Sequence, residues 1–340
     1  MEIFHLNSRE KNATQQIDFV DNILCFRLMN SQFESLADVT LLELFQYFYS
    51  DELVDIFWPL NQRFQCLIQS MPNLIYLSNR KNDNFSFFSL IQTVVLRNPL
   101  DELLNCFSNL RRLYLNYATE NLVDNLRNNR FPHLTHLSID RRVNPFYMPA
   151  LVELVFNDGL PRLQSCYLSR IRSPTIDQTW TKSSHLRILR VNELDATMFR
   201  SILLVCPNLM DLKWKLLTES TEELQPIEHR HMKRMTVKII AEEWPWNDRR
   251  LKTYLSCVPN LEQFIIHRSI SSQTSSVDSL HSYDWLSTIL MQTCPFVQRF
   301  LFRISHFHFD SFEIEKFSRL FTRKFHRFYQ NSSQYRLSFC

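Results

Sequence analysis

The sequence of 340 residues contains a single glycine, Gly159. Loops that cradle a phosphate group need several glycines, because only a residue without a Cβ lets the backbone turn tightly against the phosphate. The scarcity of glycine therefore excludes a Walker loop, a kinase glycine-rich loop and a dinucleotide-binding fingerprint. Enzymes that bind nucleotides through such loops are excluded with them.

Other signatures are also missing. The eight cysteines include no Cys-x-x-Cys pair, which argues against a zinc ribbon or a secreted disulfide scaffold and favours reduced, buried thiols in an intracellular protein. The N-terminus lacks the basic start and apolar run of a signal peptide, and no run of about 18 apolar residues is present to span a membrane. A net charge of +3 without a long basic run does not indicate nucleic acid. We predict a cytoplasmic or nuclear protein with neither a membrane nor a nucleic-acid partner.

Catalytic and metal-binding patterns are equally scarce. No serine, cysteine or carboxylate lies in a recognisable catalytic setting. His306, His308 and Asp310 alternate as metal ligands sometimes do, but the sequence shows no further ligand to complete a site. We therefore expect no metal, no cofactor and no enzymatic activity.

What the sequence does contain is a recurring phrase of the form x-Pro-x-Leu-x-x-Leu-x-Leu. Four successive copies open on Leu163, Leu186, Leu209 and Met232, each 23 residues after the last. The last two apolar residues of each copy are two apart, so they point to the same side of a strand. Between copies the apolar spacing becomes helical, as it does after the predicted N-cap Asp195. Each repeat is predicted to be one strand followed by one helix.

One such repeat cannot fold alone. Three buried aliphatic side chains contribute roughly 5 to 9 kcal/mol, whereas ordering the backbone costs on the order of 1 to 2 kcal/mol for every residue. Repeats must therefore stack on their neighbours. We predict an α/β leucine-rich-repeat solenoid, a horseshoe, over residues 71–310. A capping helix and tail are predicted over 311–340, and the repeat spacing lengthens to 29 and then 36 residues after Met232.

The strands of the later repeats carry cations on the side that faces the predicted concave surface. We predict that these side chains bind a protein substrate, through charge-assisted hydrogen bonds to an acidic or phosphorylated segment. The residues concerned are Arg190, Lys213, Lys215, Lys238 and Arg303. The alternative is that they are ordinary solvated charges on an exposed sheet.

Residues 33–70 interrupt the repeat pattern and are predicted to form three short helices, preceded by an extension over 1–32. Asp38 is predicted to cap the first helix and Asp51 to begin the second. One apolar stripe runs along the first helix and another along the third. The two stripes consist of Leu41, Leu44, Phe45 and Phe48, and of Leu60, Phe64, Leu67 and Ile68.

This helical segment resembles the F-box family. The family pattern Leu-Pro-Asp-Glu-x-Leu-x-x-Ile-Phe-x-Tyr-Leu, followed five residues later by Leu, aligns without a gap on Leu36, Asp38, Leu41, Leu44, Phe45, Tyr47, Phe48 and Leu53. The later Leu-Asn-x-Arg-Phe-x-x-Leu, residues 60–67, is similar to a variant ending in a subset of the family. Ala37, Val39 and Phe64 stand where the family has proline, glutamate and tryptophan.

The resemblance implies an F-box/leucine-rich-repeat protein. Such a protein is the substrate receptor of an SCF-type E3 ubiquitin ligase: the F-box docks on a Skp-family adaptor within a cullin complex, and the repeats hold a protein substrate. The adaptor contacts implied here are Leu36, Leu41, Leu44, Phe45 and Leu53. The alternative is a leucine-rich-repeat scaffold whose degenerate F-box only caps the solenoid and has no ligase role. The Ser-rich loop 269–276 is either a connector or a phosphorylation site.

Overall fold

The computed structural model describes thirty-eight consecutive residues near the N-terminus and most of the repeats. The described residues are 34–71, 74–78, 91–96, 104, 106–128, 130–143, 147–169, 180–216, 227–240, 248–270, 284–306, 315, 319 and 335–339. The chain divides into two compact units, Met1–Pro72 and Asn73–Cys340. Each unit buries its own set of apolar side chains.

Three helices form the described part of the first unit: α1 is Asp38–Phe45, α2 is Ser50–Ile56 and α3 is Gln62–Ser70. Their existence confirms the prediction, but their starts differ from it. Ala37 is the N-cap of α1, and Asp38 instead accepts a hydrogen bond from Arg63. Helix α2 begins one residue before Asp51, with the backbone N–H of Tyr49 donating to Glu52 at 2.8 Å.

Aromatic rings fill the core of this first unit. The Phe45 and Phe57 ring centroids are 4.7 Å apart, and those of Phe57 and Phe64 are 5.9 Å apart. All three rings are fully buried. Tilted aromatic pairs at these distances add to the free energy of burying their surface. A unit of three short helices therefore has a core of its own, in which the Phe57 ring contacts those of Phe45, Phe48 and Phe64.

Within the described residues, the sheet of the second unit has eleven strands. They are β1 Ile75–Ser78, β2 Thr93–Leu96, β3 Arg112–Ala118, β4 His136–Val143, β5 Ser165–Leu168, β6 Ile188–Val191, β7 Asp211–Leu216, β8 Arg234–Ile240, β9 Gln263–Ile270, β10 Arg299–His306 and β11 Tyr335–Phe339. The helices between them are α4 Glu120–Arg127, α5 Met148–Phe156, α6 Ala196–Val205, α7 Asp248–Ser256 and α8 Asp284–Thr293. Strands lie in chain order and every neighbouring pair is parallel. This arrangement is an α/β fold compatible with a solenoid.

A forked hydrogen bond joins each repeat to the next at the entrance of the strand. The carbonyl oxygen of Arg187 accepts from the N–H groups of Met210 and Asp211 at 2.8 and 3.0 Å. One repeat later, the carbonyl oxygen of Met210 accepts from Lys233 and Arg234 at 2.9 and 2.8 Å. The same fork is formed at the carbonyls of Gln92, Arg111, Thr135, Gln164, Arg187, Met210, Lys233 and Glu262. The predicted 23-residue register is thereby confirmed, as are the longer steps of 29 and 36 residues after it.

The recurring apolar positions form buried columns across the sheet. The opening residues of the later copies are at most 3% exposed, and they are Leu163, Leu186, Leu209, Met232, Leu261 and Val297. Within the strands, Leu189, Leu212 and Met235 are paired in direct register and are also buried. Contacts between repeats therefore provide the core that a single repeat lacks.

In the repeats, helix α6 begins where the sequence predicts, and a cysteine follows each of the helices α6, α7 and α8. The Asp195 carboxylate accepts from the N–H of Met198 at 2.7 Å, which confirms it as the N-cap of α6. The cysteines that follow α6, α7 and α8 are Cys206, Cys257 and Cys294, and all three are buried. Burial raises the pKa of each thiol above its ordinary value. These cysteines therefore pack as small apolar side chains.

Polar side chains that sequence reasoning did not single out also join the repeats. Asn208 Nδ2 donates to the carbonyl oxygen of Ser184 at 2.7 Å, and Asn260 Nδ2 donates to that of Arg230 at 3.1 Å. His229 is buried, and its Nε2 lies 2.9 Å from the carbonyl oxygen of Cys206. Each bond spans one repeat, so these side chains link consecutive repeats in addition to the strand ladder.

The C-terminal region differs from the prediction. Glu315 and Arg319 are helical, in keeping with a capping helix, but the other residues of 307–334 lie outside the described part of the chain. Strand β11 pairs with β10, with Phe300 opposite Tyr335. The sequence predicted only a tail there, because β11 is not preceded by a copy of the recurring phrase. Across the described residues, we find no helix with the length and apolar character needed to span a bilayer.

We predict that Leu212→Ala destabilises the fold by about 2 to 5 kcal/mol, because it leaves a cavity beneath a fully buried position in β7. The matched control is Leu204→Ala on α6, where the side chain is 58% exposed and the expected change is within about 0.5 kcal/mol. Urea unfolding followed by circular dichroism measures both. Equal urea midpoints for Leu212→Ala and Leu204→Ala would contradict the burial of Leu212 between its neighbours in the sheet.

Candidate functional site

Strands β6 to β10 present a row of basic side chains on the face opposite the buried columns. Alternation along each strand sends one residue into the core and the next out of it, as in the burial of Leu189 and Val191 on either side of Arg190. We call the following outward residues the cationic face: Arg190, Lys213, Lys215, Lys238, His267 and Arg303. Two positions that the alternation also places on this side, Ser169 and Leu301, are buried.

Register brings the cationic face together. Arg190 on β6 pairs directly with Lys213 on β7. One step further along the strands, Lys215, Lys238, His267 and Arg303 occupy directly paired positions on β7 to β10. Neighbouring strands are about 4.8 Å apart, so this second row spans roughly 15 Å at the backbone. All five sequence-predicted substrate residues therefore lie on one surface, and His267 is an addition to them.

The basic groups act on one another electrostatically. Partial burial, then Arg190 and Lys238, lower the pKa of the Lys213 ammonium. The pKa of His267 falls to about 4, first because of burial and then because of Arg303, Lys213 and Lys238. The imidazole is consequently neutral near pH 7 and offers one N–H donor without adding a charge. These electrostatic interactions join residues on four strands, β7 to β10, so the cationic face forms one continuous region of positive potential.

Acidic groups neutralise only part of this field. Within the described ranges, the one ion pair formed by the cationic face joins Lys215 Nζ to Glu193 Oε1 at 3.6 Å. Asp211 lies at the base of β7, where burial raises the pKa of its carboxyl while Arg190 and Arg234 lower it. The Nε atom of Arg303 is buried and has no hydrogen-bond partner among the described residues. The face is therefore net positive and suited to an anion.

The residues predicted to contact an adaptor separate into two groups. Leu41, Phe45 and Leu53 are fully buried in the core of the first unit. In this structure they pack the three helices together, and their contact with an adaptor stays a prediction. Leu36 and Leu44 are partly exposed. Only these two of the five are available for contact in this structure.

The most exposed apolar side chains of the described first unit are not among the five predicted adaptor contacts. Val39 is 68% exposed and Tyr47 is 73% exposed, and Leu60 is exposed as well. The sequence analysis missed Val39, because it was treated only as a departure from the family pattern. Its position on α1 relative to Leu41 and Phe45 was the available signal, since residues two apart on a helix point to different faces.

Arg63 organises the surface around these residues. Its guanidinium donates to Asp38 Oδ1 at 2.8 Å through Nε and at 2.6 Å through one terminal nitrogen. The terminal nitrogens also donate to the carbonyl oxygens of Glu34 and Leu36. The first turn of α1 is thereby tied to α3. Arg63, which lies in the segment 60–67, therefore has a structural role that the sequence spacing alone did not reveal.

The remaining candidate sites are not supported or lie beyond the described residues. No group of three or more histidine, cysteine or carboxylate side chains suited to a metal occurs in the described ranges. His308 and Asp310 lie outside those ranges, as do residues 271–276 of the Ser-rich loop. No protein-family model matches the chain, and no curated protein matches it in sequence.

We predict that His267→Gln reduces the loss of stability on mild acidification. The pKa of His267 is about 4 in the folded protein and 6.5 in the reference state, so between these values the unfolded chain binds a proton that the folded chain does not. The contribution of His267 to the free energy of unfolding is therefore complete above pH 6.5, and it falls as the pH is lowered from 6.5 to about 4. Urea midpoints measured at several pH values should show a shallower fall in His267→Gln.

Ile265→Val, on the same strand and without a titrating group, is the matched control. It should keep the pH dependence of the parent protein, because it alters packing without altering proton binding. A parental slope in His267→Gln as well would show that the imidazole is not held neutral by its neighbours.

Proposed function

We propose that this chain is a non-catalytic substrate receptor of an SCF-type E3 ubiquitin ligase. In this proposal the three-helix unit binds a Skp-family adaptor within a cullin complex, and the cationic face of a leucine-rich-repeat horseshoe binds a protein substrate. The observation that carries the proposal is the pairing of a separate helical unit, which resembles the F-box, with a stack of parallel strands whose outward residues form a surface.

The exposed apolar residues of the helical unit support the adaptor part of the proposal. Val39 and Tyr47 leave most of their surface in water although the unit has a complete aromatic core. Burying a side chain of this size in an interface contributes about 1.5 to 3 kcal/mol. Leu36 and Leu44, which are partly exposed, belong to the same set of available contacts. A partner with an apolar groove would cover these residues.

The sheet supports the substrate part of the proposal. An outward residue from each successive strand yields an extended surface in which neighbouring positions are set by register rather than by loop conformation. Such surfaces are typical of repeat proteins that bind other proteins. The positive charge of the cationic face favours a partner segment of negative charge.

A second candidate function is a protein-binding scaffold without a ligase role. The specific observation that favours it is the complete burial of Leu41, Phe45 and Leu53. These residues carry much of the F-box resemblance, and core packing of three helices explains them without an adaptor. The two functions share the cationic face and differ only in what the helical unit binds.

Capture of a purified Skp-family adaptor by the immobilised chain tests the ligase proposal. We expect the parent chain to retain the adaptor and Val39→Asp/Tyr47→Asp to weaken its binding by at least about tenfold, because charges replace exposed apolar contacts. Both positions are exposed, so the helices should remain folded. Substitution of Phe45 would be ambiguous, since its ring is part of the core.

Leu204→Asp is the matched control, because it places the same charge at an exposed apolar position of the sheet unit. It should retain the adaptor at the parental level. Failure of the parent chain to capture any adaptor, with its helical circular dichroism intact, would reject the ligase role in favour of the scaffold. Equal capture by Val39→Asp/Tyr47→Asp would reject the proposed contact surface.

A further inference from the structure

We propose that the cationic face holds one phosphate group of a phosphorylated protein segment at its centre. The ligands are the side chains of Lys213, Lys238, His267 and Arg303. The inference rests on the proposed function in taking this segment as the substrate, and it names the chemistry that such a substrate must carry. The site itself is a property of the sheet unit and can be tested on the chain alone.

The geometry of the four ligands suits a single anion. Lys238, His267 and Arg303 occupy directly paired positions on three adjacent strands. Lys213 lies one outward position earlier on β7, beside Thr236 of β8. Strand spacing of about 4.8 Å separates the ligand backbones, a distance that the long lysine and arginine side chains can close. Four donors from four adjacent strands can therefore reach one anion above the sheet.

Acidic side chains offset the positive charge at one edge of the cationic face but not at its centre. Lys215 is paired with Glu193 at 3.6 Å, and Arg190 is close enough to Asp211 to lower the pKa of that carboxyl. By contrast, Lys238 and Arg303 form no ion pair within the described part of the chain. Asp211 does favour the charged form of Lys213, but less strongly than Arg190 and Lys238 oppose it. Uncompensated positive charge is thus concentrated at Lys238 and Arg303, with Lys213 on the neighbouring strand and the neutral His267 between them.

The excess of positive charge at this site favours a phosphate over a carboxylate as the bound group. Burial, and then the neighbouring basic groups, lower the pKa values of Lys213 and His267. A carboxylate supplies one negative charge and two acceptor atoms. A phosphoserine or phosphothreonine supplies about −1.5 to −2 charges and three strong acceptor oxygens. A phosphate therefore offsets up to two cations and offers four donors more acceptor oxygens than a carboxylate does.

The remaining outward side chains add a hydroxyl and an apolar contact next to the phosphate. Thr236 and Ile265 continue the row that begins with Lys213, and both are partly exposed. The Thr236 hydroxyl can donate to a phosphate oxygen. Ile265 provides an apolar neighbour for the adjacent residue of the bound segment. The Ile265 contact distinguishes a phosphorylated residue from a free inorganic ion, which has no adjacent residue to place there.

Fluorescence polarisation with the full chain tests the site directly. The probe is a labelled, degenerate peptide pool with one central phosphoserine, and the comparison pools carry serine or glutamate at that position. We expect the phosphoserine pool to bind at least about tenfold more tightly than either comparison pool. Inorganic phosphate should compete with it, and its affinity should fall with salt concentration.

Charge reversal locates the binding. Lys213→Glu/Lys238→Glu should abolish the preference for phosphoserine, and both residues are exposed, so the fold should persist. The matched control is Arg200→Glu/Lys252→Glu, which makes the same change in net charge at exposed positions of α6 and α7. The control should bind the phosphoserine pool as the parent does.

Several outcomes would overturn the inference. Equal binding of the glutamate and phosphoserine pools would show a general acidic preference, and unchanged binding by Lys213→Glu/Lys238→Glu would place the site elsewhere. Binding of single-stranded RNA or of phosphatidylserine vesicles in preference to the phosphopeptide would assign the face to another partner. Adaptor capture is measured separately, so a chain that binds phosphopeptide but no adaptor retains this site and loses the ligase role.

Discussion

The fold depends on the hydrogen bonds and packing by which each repeat completes the one before it. A carbonyl at the start of each strand accepts two amide N–H groups from the next repeat, as Met210 does from Lys233 and Arg234. Leucine columns such as Leu189, Leu212 and Met235 are buried only because three repeats lie in register. No repeat has a core in isolation, and stability therefore resides in the interfaces between repeats.

The surface chemistry follows from the same constraint. Parallel pairing without a register shift from β7 to β10 aligns outward residues that are far apart in sequence. Lys238 and Arg303 are 65 residues apart, yet His267 alone separates them across the sheet. Like charges at this spacing repel one another, so the register that buries the leucines also sets how closely these cations lie on the outer face.

Much of the repeat architecture was predictable from the sequence, because it depends on local periodicity. The 23-residue spacing, the cap at Asp195 and the buried strand positions follow from alternation and from helical spacing. Strand β11 was not predictable, since no recurring phrase precedes it. The exposure of the helical unit's apolar residues was only partly predictable, because a family pattern does not distinguish a buried leucine, such as Leu41, from a partly exposed one, such as Leu44.

The sequence by itself determined the repeating strand and helix, the columns that are buried, and the side of each strand on which Arg190, Lys213, Lys215, Lys238 and Arg303 lie. These properties arise from spacing within one repeat. Only the tertiary structure decided that His267 lies directly between Lys238 and Arg303, that Lys215 is neutralised by Glu193, and that Val39 and Tyr47 are the most exposed apolar residues of the described helical unit. Those properties depend on which strands and helices meet, and the distances involved are set by packing between segments that sequence spacing does not specify.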